Sequence, residues 1–405
     1  TACLVRELIP GLAEEGLHIL RAADCSRPQE EDLITLFSRN IFPALTPIGI
    51  DDDQDILHLL EGLKLHLAFL VVPADEPENP TPQLAVVPLP ASLDRFVHLP
   101  AGKGEEALVL LEDVVRLGSR RLFPGYRVVG STAFRITRDA DMSVDEERDE
   151  DYVEAMAEML VSREQSRSVR LELEGDCPED LRQLLCDRLG LDAPHVYAVN
   201  GPLDLGAFMP LAFRQGWDRL RDKPWPQQPA MDLPPDYDLF DWLKDHDVFL
   251  HHPYETYDPV VELVENAADD PAVLAIKMTL YRTSSNSPII RALARAAENG
   301  KQVTVVLELK ARFDEGRNLE WTHVLERAGV TVIYGIARLK VHAKALLVVR
   351  EEHDGIVRYA HMGTGNYNDK TAKLYTDMGL MTSRDDLTHE LVLFFNAITG
   401  LSAPP

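Results

Sequence analysis

From Val248 onward, short apolar runs alternate with helix-length segments that stop at glycine, and this rhythm most constrains what the chain can fold into. VFLHHPYE leads into a helix over about 259–268. VLAIKMTLY (273–281) reads as a strand, 287–299 as a helix ended by Gly300, QVTVVLEL (302–309) as a strand and 319–328 as a helix ended by Gly329. VTVIYG (330–335), AKALLVVR (343–350) and IVRYAHMG (356–363) read as further strands. Runs this apolar belong in the middle of a sheet covered on both faces, which predicts an α/β sandwich.

The earlier part is more mixed. LKLHLAFLVVP (63–73), PQLAVVPLP (82–90) and RFVHLP (95–100) read as strands and ALVLLEDVVRLGSRRLF (107–123) as a helix. YRVVGSTAFRITRDAD (126–141) reads as strands, followed by a helix to about Arg163, a strand SVRLELE (168–174) and a helix over 178–189. Leu4, Leu8, Leu12, Leu17 and Leu20 stand at roughly helical spacing, and 29–40 suggests a second helix. The acidic run 145–151 reads as a solvated helix start. The expectation is an α+β multidomain chain: a helical 1–41, a middle α+β domain over 42–200, a Pro-, Asp- and Trp-rich connecting segment over 201–247, and the α/β sandwich over 248–405.

Charge narrows the function. The net charge is −26, yet residues 271–405 hold 17 Lys and Arg against 14 Asp and Glu, a balance of +3 that leaves −29 for residues 1–270. So acidic a chain lacks the general basic footprint of a nucleic-acid binder, and a polyanion would be tolerated only by the last third. The four cysteines, Cys3, Cys25, Cys177 and Cys186, show no CxxC spacing, which suits reduced thiols in the cytoplasm. No stretch reaches 18 uninterrupted apolar residues, so no transmembrane segment is expected, and peripheral membrane association stays open.

Polar residues gather at the strand ends of the last domain, where open α/β sheets commonly bind ligands. Arg282 follows IKMTLY, Lys310 and Arg312 follow VVLEL, His342 and Lys344 open a strand, and Gly363, Gly365 and Asn366 follow another. Arginine offers a fork that matches two phosphate oxygens, and a neutral imidazole is a nucleophile at pH 7. Arg282 and Arg312 therefore read as a phosphate clamp and His342 as a phosphoryl acceptor, with Lys310, Lys340, Lys344 and Arg350 as candidates to line a path for a polyanion, of which strand alternation lets only a subset serve. GxxxxGK[ST] is absent, so any nucleotide binds without a P-loop.

HHPYETYDPV (251–260), VLAIKMTLYRTSS (273–285), VVLELKARFDE (305–315), LKVHAKALLVVR (339–350) and RYAHMGTGNYNDKTAKLYTDMGLMTS (358–383) closely resemble polyphosphate kinase of the long, histidine-phosphorylated type, over about 42–396. The resemblance implies a phospholipase-D-like catalytic domain, phosphohistidine at His342, Arg282 and Arg312 at the phosphate and Mg²⁺ position, and Tyr375 in the nucleotide site. It further implies ATP/ADP as substrate, inorganic polyphosphate as partner, a homo-oligomer and a cytoplasmic location. It also makes 1–41 the remnant of an N-terminal helical domain and leads one to expect that a last phospholipase-D-like domain, with a second catalytic histidine, is missing. Val349 stands where HxKxxxxD would place its aspartate, as the kinase branch leads one to expect, and DDDQDIL (51–57) lacks the expected proline-rich character. Two other readings remain: a phospholipase-D-type phosphodiesterase or nuclease with a site completed by dimerisation, and an inactive polyphosphate-binding module.

Overall fold

A computed structural model describes residues 1–51, 56–75, 81–140, 152–309, 315–335 and 340–400. They form two compact units, one of Thr1–Ser143 with Met159–Asp222, the other of Val144–Glu158 with Lys223–Pro405.

In the first unit, Leu17–Leu20 (β1), Glu106–Leu110 (β6) and Phe96–Leu99 (β5) form a three-stranded sheet. A six-stranded sheet runs Ile48–Ile50 (β2), Gln83–Pro88 (β4), His66–Pro73 (β3), Tyr126–Arg138 (β7), Ser168–Glu174 (β8) and Val196–Val199 (β9). Both faces of its central strands are covered. Leu67, Phe69 and Val71 pack with Leu33, Val114 and Val115, whereas the alternate residues Ala68 and Leu70 pack with Leu181 and Leu185 of the helix Glu179–Leu189.

Two helical expectations fail here. Residues 106–110 pair in parallel with β1 and antiparallel with β5, and the helix begins only at Leu111. A continuous apolar run such as ALVLL suits a helix or a buried strand equally, and distant partners decided it. Likewise the first helix ends at Glu14, Gly16 turns the chain at φ +93, and Leu17–Leu20 is a strand. The segment 126–138 is one long strand. Arg27–Leu36 is a helix, closed by a capping box between Ser26 and Gln29. The acidic run 145–151 lies outside the described residues.

Residues 201–222 fold onto the first unit: Trp217 packs with Leu17, Leu108 and Leu110 and donates its indole N–H to Glu106 at 3.0 Å. Residues 223–247 belong to the second, where the helix Leu239–Asp245 buries Leu239, Phe240 and Leu243.

The second unit is built on a seven-stranded sheet in the order Val248–His252 (β10), Asp377–Thr382 (β16), Gly355–Gly363 (β15), Lys344–Glu352 (β14), Val273–Leu280 (β11), Gln302–Leu307 (β12) and Thr331–Tyr334 (β13). β11, β12 and β13 are parallel, joined by right-sized crossovers through the helices Pro288–Glu298 and Glu315–Arg327. Ser287 caps the first of these helices through the Ile290 N–H, Pro288 occupies its first position, and Gly300 at φ +82 turns the chain away from its end. The other pairings are antiparallel, including β14 against β11. On one face Ala345, Leu347 and Ala360 pack against Leu391 and Phe395 of the helix Asp385–Thr399. The four cysteines are free thiols.

Candidate active site

Sheet topology assembles the site. Because β14 and β16 run against β10, β11, β12 and β15, the carboxyl ends of the latter four and the amino ends of the former two lie at one end of the sheet. That end carries His252, Tyr281 and Arg282, Glu308, His342 and Lys344, Gly363–Asn366, and Asp377.

His342 is exposed, on an irregular stretch just before β14, and its backbone is pinned on both sides. The Val341 N–H donates to the buried Glu308 carboxylate at 2.9 Å. The Thr279 hydroxyl donates to the Ala343 carbonyl at 2.7 Å and accepts from the Ala345 N–H at 3.0 Å. Fully buried Asn318 donates its amide to the Tyr281 carbonyl at 2.9 Å and the Glu308 carbonyl at 3.0 Å, so the turns after β11 and β12 are tied together beneath the histidine.

Lys344 is 7% exposed, and its amine stands 3.1 Å from both imidazole nitrogens and 2.7 Å from the His342 carbonyl oxygen. Equidistance places it against the ring rather than along one lone pair, so it acts on His342 chiefly by charge. Burial lowers the pKa of His342 below the ordinary imidazole value, and the charges of Lys344, Lys340 and Arg282 lower it further. Burial also lowers Lys344, against the opposing pull of Asp377. Lys340 and Lys344 make no ion pair among the described residues. An imidazole kept neutral inside a cluster of cations is suited to attack a phosphorus whose oxygens those cations hold.

The other predicted residues fall in several places. Arg282 follows β11 directly, with its guanidinium carbon 5.4 Å from the Tyr281 ring centroid. Lys310 and Arg312 lie outside the described residues. Asn366 lines a small pocket with His252, Tyr257 and His361, to which His342 does not contribute, and its side-chain oxygen is buried without a hydrogen-bond partner among the described residues. Tyr375 is 63% exposed, next to Leu374 at 74%. Arg350 leaves the polyanion path: it sits at the far end of β14, bonded to Asp270 at 2.8 Å and to Glu352. The glycine turn is a clamp on Asp377. Thr364 donates to that carboxylate at 2.8 Å, and a side chain at Gly365 would sit 2.6 Å from its other oxygen. Sequence reasoning missed Thr279, Tyr281, Glu308, Asn318 and Asp377; only the placement of Tyr281 immediately before Arg282 could have pointed to one of them.

Two family models match the chain, the polyphosphate kinase middle domain over residues 28–211 and the polyphosphate kinase C-terminal domain 1 over 238–404. The chain belongs to the polyphosphate kinase family. It is 44% identical over 401 residues to the polyphosphate kinase of Halalkalibacterium halodurans, covering 98% of this chain and 56% of that one. It is 43% identical over 403 residues to that of Bacillus cereus, covering 98% and 57%. The solved polyphosphate kinase of Porphyromonas gingivalis superposes on all of the chain and 58% of its own length, at a TM-score of 0.78 and 28% identity. The chain thus spans little more than half the length of these polyphosphate kinases. The expected architecture, an α+β middle domain followed by a phospholipase-D-like α/β sandwich, agrees with this family fold.

Proposed function

We propose that the full-length protein carrying this stretch is a reversible ATP–polyphosphate phosphotransferase, ATP + polyphosphate(n) = ADP + polyphosphate(n+1), with His342 as the intermediate carrier. The unprotonated ring nitrogen attacks the γ-phosphorus in line, an N–P bond forming as the bond to the ADP oxygen breaks. The terminal oxygen of a polyphosphate chain then takes the phosphoryl group from His342. Arg282, Lys344 and, by its sequence context, Arg312 stabilise the charge that develops on the equatorial oxygens. Relatives named polyphosphate kinase over the same residues support this reading. The observation that carries it is His342 itself, fixed by Glu308 and Thr279, with its pKa lowered and Lys344 against its ring.

Mg²⁺ is implied by the family. Arginine has no acceptor atom and cannot ligate a metal, and no group of three or more acidic, histidine or cysteine side chains among the described residues could hold one. The site therefore fits an ion that arrives on phosphate oxygens and leaves with them, where its charge would offset that of the nucleotide. Tyr375, exposed beside Leu374, offers its ring to the nucleotide base. The reading includes a cytoplasmic homo-oligomer; no helix among the described residues is long and apolar enough to cross a membrane.

Incubation of the full-length protein with γ-labelled ATP tests the assignment. An acid-labile, alkali-stable label is expected on wild type and absent from H342A. Label retained by H342A at the wild-type level overturns it.

A further inference from the structure

The ring of Tyr281 is where the charged groups of the site converge. The Lys340 amine lies 5.1 Å from its centroid, the Arg282 guanidinium carbon 5.4 Å and the Lys344 amine 5.6 Å, all within the range of cation–π attraction. The His342 ring meets it edge to face, with centroids 5.0 Å apart and planes at 79°. Three cations this close repel one another, and the repulsion must be offset for them to stay together.

Elsewhere in this unit the offset comes from carboxylates, as with Arg350 on Asp270 and Arg295 on Asp269. Among the described residues Lys340 and Lys344 make no ion pair, and Asp377 acts on Lys344 only through its charge; a carboxylate bonded directly to these two amines would repel a triphosphate and a polyphosphate chain. An aromatic face attracts cations through its quadrupole and carries no net charge. We infer that Tyr281 is a positioning residue, whose ring gathers Arg282, Lys340 and Lys344 around His342 while leaving the site electropositive toward phosphate.

The inference rests on the reading of His342 as the phosphoryl acceptor. The scaffold supports it: the Tyr281 carbonyl hangs on Asn318, which also holds the Glu308 carbonyl, and Glu308 in turn holds the Val341 N–H. Ring and histidine are thus fixed to one framework, so replacing the ring leaves the backbone of the site in place. Without it the cations spread apart, the phosphate oxygens lose preorganised partners, and His342 feels less positive charge. Its pKa then rises toward the ordinary value.

The test is single-turnover labelling from γ-labelled ATP in the full-length protein, as wild type, Tyr281→Phe and Tyr281→Leu, followed across pH with the melting midpoint of each. Phe keeps the face and should label within about twofold of wild type, whereas Leu should slow labelling about 10- to 100-fold through the loss of several cation–π contacts. The acidic limb of the pH profile should also move to higher pH in Y281L, a change that loose packing alone would not produce. Should Y281L fail to fold, Tyr281→Met, apolar and flexible, takes its place. Wild-type rate and pH profile in the Leu or Met variant overturns the inference, and so does a Phe variant as slow as Leu, which would assign the role to the hydroxyl. Absence of label on His342 in wild type would instead remove the underlying reading, so the two failures are distinct.

Discussion

The first unit and the strand-end site of the second use their cations in opposite ways. In the first, several arginines are paired with carboxylates: Arg95 on Glu112, Arg116 on Asp113 and Glu174, Arg135 on Glu172 and Asp204, Arg214 on Glu106. Several of these pairs are half-buried or buried, and they tie sheets and connecting segments together. At the strand ends of the second unit, Lys344 is as buried as the first unit's best-paired arginine, yet its amine meets an imidazole, a carbonyl and an aromatic face. A cation satisfied by an acid does structural work. One held by neutral groups keeps its field for a ligand, which is what an anionic substrate requires.

The largest effect expected from this contrast is on stability. Arg95 and Glu112 have side chains 11% and 4% exposed, so Arg95→Met strands a buried carboxylate and should cost about 3–5 kcal/mol in denaturant unfolding of the first unit. Lys344→Met should cost far less, since it leaves no carboxylate unpaired. If it destabilises the protein as much as Arg95→Met, the contrast is broken.

In the full-length protein the order should reverse for the rate of the proposed reaction. Lys344→Met, Arg282→Ala and Arg312→Ala should each slow phosphoryl transfer about 10²- to 10³-fold, or about 3–4 kcal/mol of transition-state stabilisation, while Arg95→Met leaves the rate of the folded fraction unchanged. Near-normal kcat/KM in the three site variants would make their charges incidental.

Acid should weaken both units through buried neutral histidines. Burial pushes His66 of the first unit down to about 4 and His361 of the second to about 3, from an unfolded value near 6.5. A depressed folded pKa means that the stability is fully present above 6.5 and is lost as pH falls toward 4 for His66 and toward 3 for His361, at about 1.4 kcal/mol per pH unit for each group. His66→Phe should flatten the first unit's profile between those limits. An unchanged slope would show that other groups govern its acid unfolding.

The smallest effects belong to the exposed edge of the site. Tyr375→Ala should raise KM for ATP with little change in kcat, by about 1–3 kcal/mol if the ring stacks on the base. Polyphosphate binding to the 405-residue chain should be weak and should fall between about 0.05 and 0.5 M salt, where the screening length shrinks from over 10 Å to under 5 Å. Salt-independent binding would mean that contacts other than the exposed cations hold the chain.

Much of the second unit was legible in the sequence because its signals are local. Apolar runs bounded by Gly300 and Gly329 and the HxK spacing at His342 act over a few residues, and each element they predict is present, with boundaries shifted by up to about four residues. The strand 106–110 was not legible, since ALVLL takes its conformation from β1 and β5, distant in the chain. The partners of His342 were equally hidden. Tyr281, Glu308 and Asp377 lie tens of residues away, inside segments that carry the family resemblance but with no spacing that ties them to His342. The sequence by itself determined which residue types reach the strand ends, because helix and strand periodicity are properties of neighbours along the chain. Only the tertiary structure decided that those ends meet: β14 enters antiparallel beside β11, and that single pairing sets His342 against Tyr281 and Arg282 and leaves Arg350 at the opposite end among carboxylates.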